Sequence, residues 1–197
     1  MGDPRKLRKK YNTPKVKFER QRIKEEFKLV GEYGLRNKTE LWKHRAQVSH
    51  YRSLTRSFRK LSKEMFEQKF GEIRKVLTRM GLIKADSTPD EVLNLTTENI
   101  LGRRLQTIVF KKGFAKTIYQ ARQLVVHSHI AIKDRIVDTP SHLCTVEDEQ
   151  NINYAINSPF RANKDKLFSQ AAPAVKEEKA AEGEAKEEPK DEGEKKE

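Results

Sequence analysis

The sequence is short of several things, and each shortage removes a class of function. It has one cysteine, Cys144, so neither an internal disulfide nor a zinc site built on several cysteines is expected. Its nine glycines never fall at the spacing of a phosphate-cradling loop. No apolar run approaches the roughly 18 residues that a spanning helix needs. Hydrophobic residues are only 35% of the 197, so the core must be modest. Residues 1–10 are basic but no apolar stretch follows them, so no signal peptide is expected. Gly2 follows Met1, yet Lys6 stands where a myristoylation signal wants Ser or Thr. A cytoplasmic chain, in a reducing compartment and off the membrane, fits all of this.

Chemistry is scarce too. His127 and His129 flank a helix end with no third ligand nearby, and His142 and Cys144 are single residues of another segment. No metal and no cofactor are expected. Glu25 and Glu26, like Glu147, Asp148 and Glu149, lie in hydrophilic stretches and read as solvated charge. With no assembled active site, neither catalysis nor a small-molecule substrate is expected.

What the chain does have is positive charge, unevenly spread. The formal net charge is +13, but residues 171–197 hold six Lys against ten acidic residues, which leaves +17 on the first 170. Residues 1–62 alone carry 19 Lys and Arg against 6 acids. Such a body repels itself and gains free energy by meeting a polyanion and releasing its counterions. Nucleic acid is the expected partner.

Four stretches follow one another. Residues 1–18 form a basic arm that lacks a sustained apolar period. Residues 19–101 read as helices. Asn37-Lys38-Thr39-Glu40 has capping-box form, with Glu40 reaching back to the Asn37 amide. Leu41, Val48, Tyr51, Leu54, Phe58 and Leu61 then recur at helical spacing. Phe70, Ile73, Val76, Leu77 and Met80 predict a second helix stopped by Gly81, and Thr88-Pro89-Asp90-Glu91 predicts a short third. Thr96 is a candidate cap for another short turn. Residues 102–168 read as a small α+β module, with helices over 103–112 and 117–127. In that module a hairpin joins Ile130-Ala131-Ile132 to Ile136-Val137 across residues 133–135, and a strand alternates through Ile152, Tyr154 and Ile156. Residues 169–197 are almost wholly Ala, Glu, Lys, Pro and Gly, too polar to offset their ordering entropy, and are expected to be a disordered acidic tail.

One constellation stands out. Thr117 and Gln120 form a capping box that opens a helix with Ile118, Ala121, Leu124 and Val125 on one face. Lys116, Gln120, Gln123 and His127 fall in a stripe on the other, beside the backbone amides of the helix N-terminus. A solvated face would look the same. A face for RNA phosphates is the sharper reading, and Arg104, His129 and Lys133 could extend it.

These residues carry a resemblance. Arg103-Arg104-Leu105-Gln106, Gly113-Phe114-Ala115-Lys116-Thr117, Gln120-Ala121-Arg122-Gln123-Leu124, His127-Ser128-His129-Ile130, Val137 and Pro140-Ser141 are similar to the S-four RNA-binding domain. That likeness implies a helix-turn-helix packed on a small sheet. It implies too that Arg104, Lys116, Thr117, Gln120, Arg122, Gln123, His127 and His129 line an RNA surface. Ser128 stands where a glycine is common and Asp134-Arg135 where Asn-Gly is common.

The N-terminal half extends the likeness. Arg22-Ile23-Lys24-Glu25-Glu26, the run from Gly31 through Tyr33-Gly34-Leu35-Arg36-Asn37-Lys38, and Glu40-Leu41-Trp42 resemble the S-four family of small-subunit ribosomal proteins in its archaeal and eukaryotic form. Some members carry N-terminal zinc cysteines that this chain lacks. The resemblance implies a structural constituent of the small ribosomal subunit that binds rRNA directly, nucleates assembly of the subunit body and supports translational accuracy beside neighbouring ribosomal proteins. An assembly factor of a nucleolar particle shares the architecture and is the alternative. An RNA-modifying enzyme would need a catalytic domain for which there is no room.

Further candidate RNA ligands are Arg5, Lys6, Arg8, Lys9 and Lys10 in the arm, and Arg36, Asn37 and Lys38 at the start of the long helix. Arg45, Arg52 and Arg56 lie along it, and Lys112 and Lys133 belong to the module. Trp42, Tyr51 and Tyr11 could stack on bases; for Trp42, packing and RNA contact stand level, whereas Tyr51 at helical spacing reads as core.

Overall fold

A computed structural model describes residues 9–161. Arg5, Lys6, Arg8 and the acidic tail at 169–197 lie outside the described residues. Helices α1 (Arg20–Glu32), α2 (Lys38–Phe58) and α3 (Lys63–Arg79) come first, followed by two short ones, α4 (Pro89–Leu93) and α5 (Thr97–Gly102). Their apolar faces meet in two clusters. Val48 of α2, Phe70 and Leu77 of α3, Val92 of α4, Leu95 and Ile100 form the larger, and Leu35, Leu41 and Leu101 the smaller.

The local signals explain the ends. α3 stops where Gly81 takes φ +68° and the Leu82 amide reaches back to the Leu77 carbonyl at 3.0 Å, a helix-closing arrangement that a side chain would strain. α4 opens where expected, with Thr88 at the N-cap and Pro89 in the first turn, and Glu91 Oε1 accepts from the Thr88 amide at 3.4 Å, as in a capping box. Thr96 precedes α5, but its hydroxyl donates to Asn99 Oδ1 at 3.1 Å and caps no backbone amide.

The second part is α+β. Helices α6 (Leu105–Lys111) and α7 (Ile118–Val126) lead into strands β1 (Ile130–Ile132) and β2 (Arg135–Ile136), then α8 (Val146–Gln150) and β3 (Ile152–Tyr154). The sheet has the order β2-β1-β3 and is antiparallel throughout. Ala131 faces Ile136, and Ile132 faces both Arg135 and Ile152. The hairpin turn is therefore one residue tighter than the sequence implies, because Arg135 pairs in β2 and Lys133 turns the chain at φ +57°. Ser128 also sits at positive φ, +61°. It closes α7 just as a glycine would, with the His129 amide on the Leu124 carbonyl at 3.0 Å. Ile108 and Val109 of α6, Ala121 and Val125 of α7, Ile130 and Ile152 fill the core of this part. Among the described residues no helix is long and apolar enough to cross a membrane.

Candidate nucleic-acid interface

The stripe on α7 lies on the surface. Lys116, Gln123 and His127 are exposed and Gln120 is half-exposed. The N-terminus of α7 is less open than its sequence implies. Thr117 Oγ1 accepts from the Gln120 amide at 3.2 Å, and Gln120 Oε1 accepts from the Lys116 amide at 2.8 Å. The capping box is thus shifted by one residue, and two of the amides expected to face a phosphate are engaged within the chain. Side chains, led by the Lys116 ammonium, are what this end offers.

Arg104 and Arg122 do not lie on that surface, against expectation. Arg104 is fully buried. Its Nη2 donates to Glu40 Oε2 at 2.7 Å and its Nη1 meets His44 Nε2 at 3.1 Å. Arg122 Nη2 donates to Glu40 Oε1 at 2.8 Å, and Nη1 lies within hydrogen-bonding reach of the Gln106 side chain and the Gly34 carbonyl. One carboxylate from α2 thus bridges arginines from either side of α6. A cation withdrawn from water needs such a partner, and neither guanidinium stands in the exposed stripe.

This network also corrects the reading of Glu40. Asn37 stands at the N-cap of α2 but its side chain makes no cap, and the Glu40 carboxylate that would complete the box is turned to the arginines instead. Burial pushes the Glu40 carboxyl upward, but the hydrogen bonds from Arg122 and Arg104 outweigh it and hold the group below its usual range. Gly34 completes the joint at φ +56°; a Cβ there would come within 2.8 Å of Gln106 Nε2 and 2.9 Å of Ile118 Cγ2. Buried Gln106 donates to the Gly34 and Ile118 carbonyls, both at 3.1 Å. The Tyr33–Lys38 run that carries the family likeness is therefore the loop that fits the helical part onto α6 and α7.

His44 in this network makes acid sensitivity testable. A neutral ring protonated on Nδ1 donates to Gln47 Oε1 at 3.0 Å and accepts from Arg104 on Nε2. Burial pushes its pKa below the usual 6.5, and neighbouring Arg104 and Lys43 add to that against the opposing pull of Gln47 and Glu40. The unfolded chain then binds the extra proton first, so this contribution is complete above pH 6.5 and lost as pH falls through the window beneath it. Thermal melts at pH 7.5 and 5.5 should show lower stability at 5.5, by a margin that His44→Gln narrows. An unchanged margin would place the acid sensitivity elsewhere.

The remaining candidates divide by what they touch. Arg36, Arg45, Arg56, Lys9, Lys10 and Lys133 are exposed and make no ion pair among the described residues. Asn37 is exposed as well. Lys38 lies 3.4 Å from Glu26 Oε2 and over the Phe27 ring. Arg52 donates to the Leu95 carbonyl at 2.5 Å, and Lys112 to the Glu149 carbonyl. His129 packs edge-on against Phe160, with Nδ1 3.3 Å from Ser158 Oγ. These four side chains have partners within the chain. Cys144 is buried, and burial pushes its thiol up to about 12, so it stays protonated and inert.

Sequence reasoning assigned no structural role to His44 or Gln106 and read Glu26 as solvated charge, which its burial corrects. Glu26 is buried, accepting from Trp42 Nε1 at 3.1 Å and from Arg22 Nη1 at 2.8 Å. A signal existed for His44: Glu40, His44 and Val48 stand at i, i+4 and i+8 beside Leu41, so polar residues interrupt an apolar stripe.

Comparison with known proteins agrees with this architecture. A family model for the S4 domain matches residues 103–149, a stretch that takes in α6, α7, β1 and β2 and makes this an S4-domain protein. Over 160 residues the chain is 46% identical to the small ribosomal subunit protein uS4 of Hyperthermus butylicus, covering 81% of this chain and 91% of that protein. It is 47% identical over 160 residues to the uS4 of Ignicoccus hospitalis, covering 81% and 96%. The chain belongs to the uS4 family of small ribosomal subunit proteins.

Proposed function

We propose that the chain is a structural constituent of the small ribosomal subunit that binds its rRNA directly, nucleates assembly of the subunit body and supports translational accuracy. Neighbouring small-subunit proteins are its other partners, and the cytoplasmic ribosome is its place. The observation that carries this reading is the surface row of Lys116, Gln120, Gln123 and His127 along α7 and its two ends, set in a chain whose first 170 residues carry +17. Cations without partners take phosphates, while the amides and imidazole beside them donate to phosphate and sugar oxygens and set the register. The ion network under α7 orders the helix that presents them. Kinship with proteins named for the small subunit supports the choice of RNA.

The test is Gln123→Glu. One negative charge placed in the row should lower affinity for a small-subunit rRNA transcript about ten-fold, the order expected for a like charge at a polyanion contact. Circular dichroism should stay unchanged because Gln123 is exposed. Undiminished binding would make the row an ordinary solvated face.

A further inference from the structure

The first turns of α2 and the chain before α1 enclose a second place where RNA chemistry is gathered. A cavity of about 390 Å³ lies between residues 12–16 and a face of α2 formed by Trp42, Arg45, Ala46 and Ser49. That volume is within the roughly 300–1,000 Å³ of clefts that hold small molecules. The spacing i, i+3, i+4, i+7 puts an indole and a guanidinium on one wall, with small side chains leaving room between turns.

The wall is held from behind. Trp42 is half-buried and its Nε1–H is tied to Glu26 Oε1. Glu26 in turn accepts from Arg22, whose Nη2 also donates to the Val16 carbonyl at 2.6 Å and the Lys17 carbonyl at 3.0 Å. Burial pushes the Glu26 carboxyl upward, but hydrogen bonds from Trp42, Arg22 and Lys38 more than offset this and keep it ionised. The indole plane is fixed and the loop opposite is pinned. Preorganised aromatic surfaces of this kind lose little entropy when a base stacks on them.

Charge decides what enters. Arg22 is fully engaged, and Glu19, the one acid on the lining, is paired with it at 3.4 Å. Lys15 and Arg45 are exposed and make no ion pair among the described residues. The unpaired charge is therefore all positive, and an aromatic plane lies beside it.

We infer that this cavity captures one unstacked nucleotide of the bound RNA, its base on Trp42 and its phosphate on Arg45. The inference rests on the RNA-binding reading above and adds a subsite to it. Single-stranded residues in loops and bulges supply such an occupant, because their bases can be splayed out onto aromatic side chains.

Trp42 is the chain's only tryptophan, so its emission reports this cavity alone. The full-length protein is titrated with a small-subunit rRNA transcript at low salt, with emission and gel mobility read on the same samples. Emission should be quenched in step with the shifted band. Trp42→Leu should lower affinity roughly ten-fold, within the range for losing one base–aromatic stack, whereas Trp42→Phe retains most of it. A shifted band with unchanged emission overturns the subsite and leaves RNA binding standing; no band overturns both. Equal losses in the Phe and Leu variants, with circular dichroism showing both folded, would assign the effect to the Glu26 hydrogen bond and overturn stacking.

Discussion

Replacing Arg104 by Ala lowers the melting temperature by roughly 6–20 °C, as expected when a broken buried ion pair costs about 3–5 kcal/mol in a chain of this size. Arg104 has no exposed surface, so its removal leaves a cavity as well as a carboxylate half-satisfied. Arg122 still holds Glu40 at 2.8 Å, which places Arg104→Ala toward the lower end. Glu40→Ala is the harsher change. It strips the carboxylate from Arg104 and Arg122 together and leaves a guanidinium in the interior with only His44 beside it. The same effect should appear with no RNA present, because every partner belongs to the chain. If Arg104→Ala instead melted like the parent and lost affinity for rRNA, the side chain would be reaching outward and the buried network would be wrong. Replacing Arg104 and Glu40 together by apolar residues of similar volume separates packing from charge, since such replacements are often neutral.

The same network marks where the sequence stops being legible. Punctuation local to the chain reads well. The helix start at Thr88-Pro89, the Gly81 stop and the opening of α7 at Thr117 all depend on residues within five positions of one another. The hairpin is legible for the same reason, apart from Arg135, which pairs where a turn residue is expected. Glu40 fails because Asn37-Lys38-Thr39-Glu40 satisfies the capping-box pattern, while the partner that wins its carboxylate stands 64 positions away. Arg104 fails in the complementary way. In a chain with 42 Lys and Arg, an arginine in an RNA-binding motif is naturally assigned to RNA, and nothing local shows that a distant carboxylate covers it. Gly34 is the intermediate case: the run around it is recognisable, but the need for a residue without a Cβ comes from Gln106 and Ile118.

That distinction sets the expected salt dependence of RNA binding. A count of Lys and Arg overstates the contacts free for a polyanion, because Arg22, Arg104 and Arg122 are engaged in ion pairs and Arg52 donates to a carbonyl. The exposed cations without an ion pair among the described residues include Lys9, Lys10, Arg36, Arg45, Arg56 and Lys116. If these six meet phosphates, each contributes about 0.7–0.9 to the slope of log affinity against log salt, and affinity falls about a thousand-fold between 50 and 200 mM. Arg56→Gln should remove one such increment, measured by filter binding across a salt series. Thermal stability should hold, because Arg56 is exposed. Arg104→Ala, compared at a temperature where it remains folded, should leave the slope as it was. A shallow slope in the parent, or a slope that tracks Arg104 and ignores Arg56, would contradict an interface built on free surface cations.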